Sequence, residues 1–335
     1  MKNSTSQNGI VLLAKKPGLT SFTSLHSVKK ALGTTKVGHT GTLDSFAQGL
    51  LVVCTGRLTK LAGNITEFDK VYEAVIKFGQ ETDTLEYTGN VISSAPLPSL
   101  ETLKKAISKY TGKIMQSPPS FSALHVNGKR ASDLAREGKK VELPPRPVTV
   151  YKATLLETQV NSENLIQYCR ISFTVSKGTY IRCLARDIAK EAGSAGHLLG
   201  LYRTRVGNFD IKDAAGYTEL SDFSIASSIE ASKLSIDLQK PHPEDSKLQE
   251  EIRQKLRSFD RNTSSLCGFK SITLKDPESE KDFCNGKPLR SSLFTTNLHD
   301  LDSATRYAVF SQTENFRGII EKDDSGRIHY IFTIN

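Results

Sequence analysis

The chain has 335 residues, 37% of them hydrophobic, enough for a sizeable core and, at roughly 100–200 residues per domain, for two domains. No run approaches the roughly 18 consecutive apolar residues of a membrane span, and the polar N-terminus Met1–Gly9 has no apolar signal region, so a cytoplasmic protein is expected. The formal charge of +9 is uneven, +11 over residues 1–220 and −2 over residues 221–335, which suits a polyanionic partner for the first part and by itself selects no chemistry.

The first strand is expected at Ile10–Leu13. Lys15-Lys16-Pro17-Gly18 then turns the chain into a helix capped by Ser21 or Thr20, with Leu25, Val28 and Leu32 on one face and a stop at Gly33. A polar, Gly-rich loop follows, Gly38-His39-Thr40-Gly41-Thr42-Leu43-Asp44, and feeds the apolar strand Leu50–Cys54. His and Asp on such a loop between regular elements suit a site carried by a rigid scaffold. Val71–Phe78 alternates, with Tyr72, Ala74, Ile76 and Phe78 sharing a face, as a half-buried strand does. Ser99 caps a second helix carrying Leu103, Ile107 and Tyr110 and ending at Gly112. Strands are expected at Val148–Leu155 and Leu165–Val175. Gly178-Thr179-Tyr180 opens a helix to Gly193 that buries Ile181, Leu184 and Ile188, and a strand near Leu199–Phe209 closes this part. The order lacks a regular βαβ alternation, so an α+β fold with a central mixed, mostly antiparallel sheet flanked by helices and loops is expected.

Residues 222–265 are Ser- and charge-rich and read as a helical connection or linker. The last segment, 266–335, reads as a small β-rich domain with strands at Tyr307–Phe310, Phe316–Glu321 and Arg327–Thr333, the last two joined by a hairpin turn at Asp323-Asp324-Ser325-Gly326. The five cysteines form no CxxC pair and read as reduced, buried thiols. The seven histidines have no ligand spacing, so no metal is expected, and no GxxxxGK[ST] phosphate loop is present.

The Gly38–Asp44 loop with Gly49-Leu50-Leu51 resembles the catalytic loop of bacterial TruB-type tRNA pseudouridine synthases. Four further segments match that family in order. They are Lys70-Val71-Tyr72, Gly79-Gln80-Glu81-Thr82-Asp83-Thr84, Pro118 through Ser122-Ala123-Leu124, and Ser176-Lys177-Gly178-Thr179-Tyr180-Ile181-Arg182; the opening Lys16-Pro17-Gly18-Leu19-Thr20-Ser21 fits as well. The resemblance covers about residues 9–220. It implies a pseudouridine-synthase fold over 9–221, with an RNA-binding insertion near 116–146. The implied activity is cofactor-free conversion of the T-loop uridine (position 55 in tRNA numbering) to pseudouridine, by a monomer whose partner is the tRNA T-arm stem-loop.

By that resemblance Asp44 is the catalytic aspartate, a residue type whose lone pairs serve a nucleophile or a base alike. In isolation a loop Asp more often caps a turn. Arg182 matches the arginine that pairs with the carboxylate, and Tyr72 the tyrosine on which a flipped base stacks. His39 matches the histidine that fills the space the nucleotide leaves, while Tyr180 and Lys177 are expected to line the pocket. Asp83 reads equally as a pocket residue or a turn cap. The basic stretch Lys129, Arg130, Arg136, Lys139, Lys140 and Arg146 is expected to grip RNA phosphates, with Arg203 and Arg205 extending that surface. Departures from the family pattern include Ser45 where Pro is usual, Gln48 within Ala47-Gln48-Gly49, His125, and Glu81. Residues 240–335 match its usual C-terminal RNA-binding domain only faintly, around Asn285–Leu289 and Phe316-Arg317-Gly318. A tRNA-binding folding factor without essential catalysis is the alternative; it would be favoured by loss of Asp44 or Arg182, and both are present.

Overall fold

The computed structural model describes residues 8–122, 124–126, 128–139, 143–233 and 245–334. The chain opens with β1 (Gly9–Lys15), α1 (Ser21–Leu32), β2 (Val37–His39) and β3 (Gln48–Thr55), then α2 (Ala62–Thr66), β4 (Lys70–Phe78) and the hairpin β5 (Gln80–Thr82)–β6 (Val91–Ser94). Next come α3 (Leu100–Lys109) and β7 (Gly112–Gln116), followed by β8 (His125–Val126), β9 (Lys129–Arg130) and α4 (Ala131–Arg136). The long strands β10 (Arg146–Val160) and β11 (Ile166–Val175), α5 (Ile181–Glu191), β12 (Gly196–Val206) and β13 (Phe209–Asp210) complete the first part. Helices α6 (Ile225–Lys233), α7 (Ser246–Gln254) and α8 (Arg261–Leu266) lead to β14 (Lys270–Thr273), α9 (Pro277–Cys284), β15 (Thr305–Phe310), β16 (Phe316–Lys322) and β17 (Ile328–Thr333).

The central sheet has nine strands, ordered β1-β3-β12-β4-β11-β10-β7, with β2 beside β3 and β13 beside β12. Every pairing in it is antiparallel except β3 with β12, which are joined in parallel at Tyr202↔Gln48 and Arg203↔Gly49. That short parallel contact lies one strand in from the β1 edge of the sheet and next to the Gly38–Asp44 loop. Gly49 permits it: its φ is +124°, and a Cβ there would lie 2.3 Å from the Arg203 carbonyl oxygen.

The alternation read in β4 is realised. Tyr72, Ala74, Ile76 and Phe78 pack with α3 (Leu103, Ala106, Ile107) and α5 (Ile181, Leu184, Ile188) in one buried layer. β3 is buried on both faces: Leu51 and Val53 meet α1 and α7, whereas Leu50, Val52 and Cys54 meet the C-terminal region through Phe259, Phe269 and Phe310. The four-stranded C-terminal sheet, β14-β15-β16-β17, therefore shares a core layer with the central sheet, in addition to its own cluster around Phe283, Phe294 and Tyr307. Residues 222–265 are helical where described, and Ile252 of α7 is packed on α1 rather than free.

Of the two candidate caps, Thr20 caps α1 by accepting the Thr23 N–H at 3.0 Å, and Gly33 ends the helix in the left-handed region. The turn at Asp323–Gly326 forms as read, with the Asp323 carboxylate accepting the Ser325 and Arg327 N–H groups. The strand expected at Leu199–Phe209 starts earlier, at Gly196, and ends at Val206 before a tight turn into β13. Among the described residues no helix is long and apolar enough to cross a membrane.

Candidate active site

The Gly38–Asp44 loop and the residues just after it are held by four elements, which is why a Gly-rich segment can carry a fixed carboxylate. Its first residues pair with β3, Gly38 opposite Cys54 and His39 opposite Val53. From α1 the Ser21 hydroxyl bridges Leu43, accepting its N–H at 2.8 Å and donating to its carbonyl at 3.0 Å. From β12 the Arg203 guanidinium donates to the carbonyls of Leu50 at 2.8 Å, Thr42 at 3.3 Å and Gly41 at 3.2 Å. From β1 the Lys15 ammonium donates to the carbonyls of Ala47 at 2.7 Å, Ser45 at 3.2 Å and Lys16 at 3.0 Å. Lys15 is only 1% exposed, and burial pushes its pKa down to about 7, against Asp44, which raises it, and together with Arg203, which lowers it.

Asp44 projects from this loop into a cavity of about 430 Å³ whose walls include Lys70, Tyr72, Tyr180, Arg182 and Arg203. The Arg182 Nη2 lies 3.1 Å from the Asp44 Oδ1 and also donates to the Phe121 carbonyl at 2.9 Å, while its Nη1 donates to the Thr84 carbonyl at 3.1 Å. Arg182 is buried in the first turn of α5. Burial opposes its charge, but Asp44 and Glu86 outweigh that, and its pKa moves up. Tyr180, the residue before α5, exchanges two hydrogen bonds with the Gln116 side chain, at 2.8 and 3.1 Å. That clamp ties the entry of α5 to the end of β7, where the insertion leaves the sheet. Burial raises the Tyr180 phenol pKa, against the facing Ser122 hydroxyl.

A second carboxyl belongs to this neighbourhood. Burial first, and then the Asp44 charge, push Glu86 up to about 7, against Arg182 and the Thr88 hydroxyl that donates to it at 2.8 Å. Glu86 follows Leu85, a buried non-glycine residue with φ +62°, held in that strained conformation by Leu85 and Tyr87 pairing with Leu198 of β12. Lys70, at the start of β4, donates to the carbonyls of Thr66 at 2.6 Å and Phe68, and burial lowers its pKa to about 8 with help from Arg203 and against Asp69.

The structure thus brings together Asp44, Arg182, Tyr72 and Tyr180. His39 sits half-buried at the end of β2 and is not among the cavity's lining residues; burial, with Arg203, lowers its pKa. Lys177 does not line the cavity. It is exposed at the rim and paired with Glu67 of the α2–β4 connection. Arg203 corrects the sequence reading, since it is 2% exposed and spends its guanidinium on loop carbonyls instead of extending an RNA-facing surface. Asp83 caps the β5–β6 turn, accepting the Asn90 N–H at 2.9 Å.

In the insertion Lys129 and Arg130 are exposed, and Arg130 reaches the cavity wall. Arg136 pairs with Asp133 at 3.0 Å and Lys139 with Glu137 at 2.6 Å. Arg146 is exposed at the start of β10, and Lys140 lies outside the described residues. Sequence reading missed Lys15, Glu86 and Gln116. Among the described residues no group of three or more His, Cys, Asp or Glu side chains is placed to hold a metal ion.

The fold is shared with solved structures. A crystal structure of a Cbf5-Nop10-Gar1 complex contains a chain of the same fold, with a TM-score of 0.64 at 18% identity over 98% of this chain and 85% of that one. Residues 29–181 match the model described as TruB family pseudouridylate synthase, N-terminal domain. The tRNA pseudouridine synthase B of Treponema denticola is 49% identical over 235 residues, 66% of this chain and 66% of that protein. The tRNA pseudouridine synthase B of Borreliella burgdorferi is 42% identical over 222 residues, 66% of this chain and 77% of that protein. The chain belongs to the TruB family of pseudouridylate synthases.

Proposed function

We propose that this enzyme converts the uridine at position 55, in the T-loop of tRNA, to pseudouridine, with Asp44 as the catalytic carboxylate and no cofactor. The observation that carries the reading is the Asp44–Arg182 pair, 3.1 Å apart, at the wall of a 430 Å³ cavity that also presents the Tyr72 ring. The cavity accepts one base and ribose, so the target nucleotide leaves the RNA stack and regains a stacking surface on Tyr72. The bond from C1′ of ribose to N1 of uracil breaks, the uracil turns, and C1′ joins C5. N1 gains a proton and C5 loses one, so no redox partner or energy source is needed. Asp44 supplies the lone pair that the C–N cleavage requires, as nucleophile at C1′ or as base toward a ribose proton. Arg182, itself buried, orients that carboxylate and offsets its charge. Lys129, Arg130 and Arg146 are exposed on the insertion side and serve the phosphates of the T-arm. The names of the relatives, tRNA pseudouridine synthase B, support tRNA as the substrate.

The test is pseudouridine formation in an unmodified tRNA transcript, mapped by position, with purified protein and no added cofactor. Asp44→Asn should keep tRNA binding within a few-fold of wild type and lose at least about 10³-fold in rate, or roughly 4 kcal/mol of transition-state stabilisation. Turnover near wild type in that variant would remove Asp44 from the mechanism. Bound tRNA without product in the wild type would favour the folding-factor alternative.

A further inference from the structure

A larger cavity, about 530 Å³, is lined by residues of β1, α1 and the start of α7. Its floor is apolar, with Leu13, Ala14, Leu19 and Leu248, and its two walls are α1 and α7. On α1 the residues 22, 26, 29 and 30 recur at helical spacing, so Phe22, His26, Lys29 and Lys30 share the outward face, opposite the buried Leu25, Val28 and Leu32. Phe22 is 72% exposed, and the Lys29 ammonium stands 5.0 Å from its ring centroid. The sequence of α1 contains no carboxylate. Among the described residues the one acid lining the groove is Asp245, whose carboxylate accepts the Leu248 N–H at 2.9 Å. A solvent-exposed aromatic beside cations, above an apolar slot, is what a planar base with a neighbouring phosphate requires, whereas an acidic peptide would use the cations and leave the ring unexplained.

The groove and the catalytic loop share supports. Lys15 lines the groove and holds Ser45 and Ala47, while Ser21, at the start of α1, holds Leu43. An RNA whose target loop occupies the catalytic cavity has its other segments within the same molecule to offer here. We propose that the α1–α7 groove is a second RNA-contact site, taking a stacked nucleotide of the substrate tRNA from outside the T-arm. Phe22 is its stacking platform, and Lys29, with His26, is its phosphate contact. This rests on the tRNA reading above.

The experiment compares binding of two RNAs, the full unmodified tRNA transcript and the isolated T-arm hairpin, by wild type, Phe22→Ala and Lys29→Gln at several salt concentrations. Phe22→Ala should raise the Kd for full tRNA about ten-fold, the lower range of one lost base stack. Lys29→Gln should raise it about three-fold and reduce the slope of log K against log salt by about 1, one phosphate contact. Hairpin affinity and the rate of isomerisation on the hairpin should not move. An unchanged Kd for full tRNA overturns the proposal. Equal losses on both RNAs also overturn it, because they place the effect on the T-arm or the catalytic loop. A change in sedimentation coefficient at constant tRNA affinity overturns it in favour of a second copy of this chain. Failure of the wild type to form pseudouridine counts against the proposed activity alone, since the comparison of the two RNAs still decides the groove.

Discussion

A carboxyl buried beside a second carboxylate releases its proton late, and Glu86 is so placed next to Asp44. Its ordinary value is 4.5 and its value in the folded chain about 7. Between the two, the folded state keeps a proton that the unfolded chain has lost, so stability falls as pH rises from about 4.5 to about 7 and stays at the lower level beyond. The full cost is roughly 3 kcal/mol at most. Glu86→Gln keeps an acceptor for Thr88 and removes the titration. Its unfolding free energy relative to wild type should therefore grow with pH across that window, as urea melts at a series of pH values would record. A difference independent of pH would mean that Glu86 is not the buried acid described. Sequence could not announce this residue. Glu86 lies 42 positions after Asp44, and only the left-handed turn at Leu85 aims it at the site. Lys15 and Arg203 were hidden for another reason. Cations are read as exposed by residue type, and what buries these two is a set of backbone carbonyls that no side-chain pattern encodes. Asp44, Arg182 and Tyr72 were legible because each stands in a distinctive run of neighbours, whereas Lys177 shared such a run and yet turned to Glu67 at the rim.

At the scale of elements, periodicity located the long pieces well. α1, α5 and β4 each bury the residues whose spacing suggested them, and α3 buries Leu103 and Ile107. Elements too short for a period escaped: β2 has three residues, and β14 pairs in parallel with β15 across an intervening helix, a partnership no local pattern contains. The element that decides the site is the short parallel contact between β3 and β12, because it sets Arg203 under the loop carbonyls. Gly49→Ala tests that dependence. The added carbon would meet the Arg203 backbone at 2.3 Å and sit at φ +124°, so the two strands must separate. A loss of about 2–4 kcal/mol in stability is expected, together with a fall in turnover that exceeds the unfolded fraction, measured by thermal melting and by rate at a temperature where the variant is folded. Wild-type turnover in a destabilised but folded variant would show that the loop does not depend on this strand contact.

At the scale of the whole molecule, charge and shape divide the work unevenly. Residues 1–220, at +11, build the cavity, while residues 221–335, at −2, share a core layer with the sheet through Phe259, Phe269 and Phe310. That arrangement suits a C-terminal region that supports the scaffold more than it attracts phosphate, and it explains why composition could suggest an RNA partner without showing which cations meet it. The structure separates the insertion's cations by their commitments. Arg136 and Lys139 are engaged with Asp133 and Glu137, whereas Arg130 reaches the cavity wall from an exposed position beside Lys129. A cation already paired with a neighbouring carboxylate gains less from a phosphate than an unengaged one, since the pair must first be broken. Replacing Lys129 and Arg130 together by Gln should therefore reduce the slope of log K for tRNA against log salt by up to about 2, with a matching loss of affinity at low salt. Lys139→Gln should change that slope by less than half as much. Equal effects from the two variants would mean that RNA binding rearranges the insertion's ion pairs, and no effect from either would place the phosphates elsewhere on the basic surface.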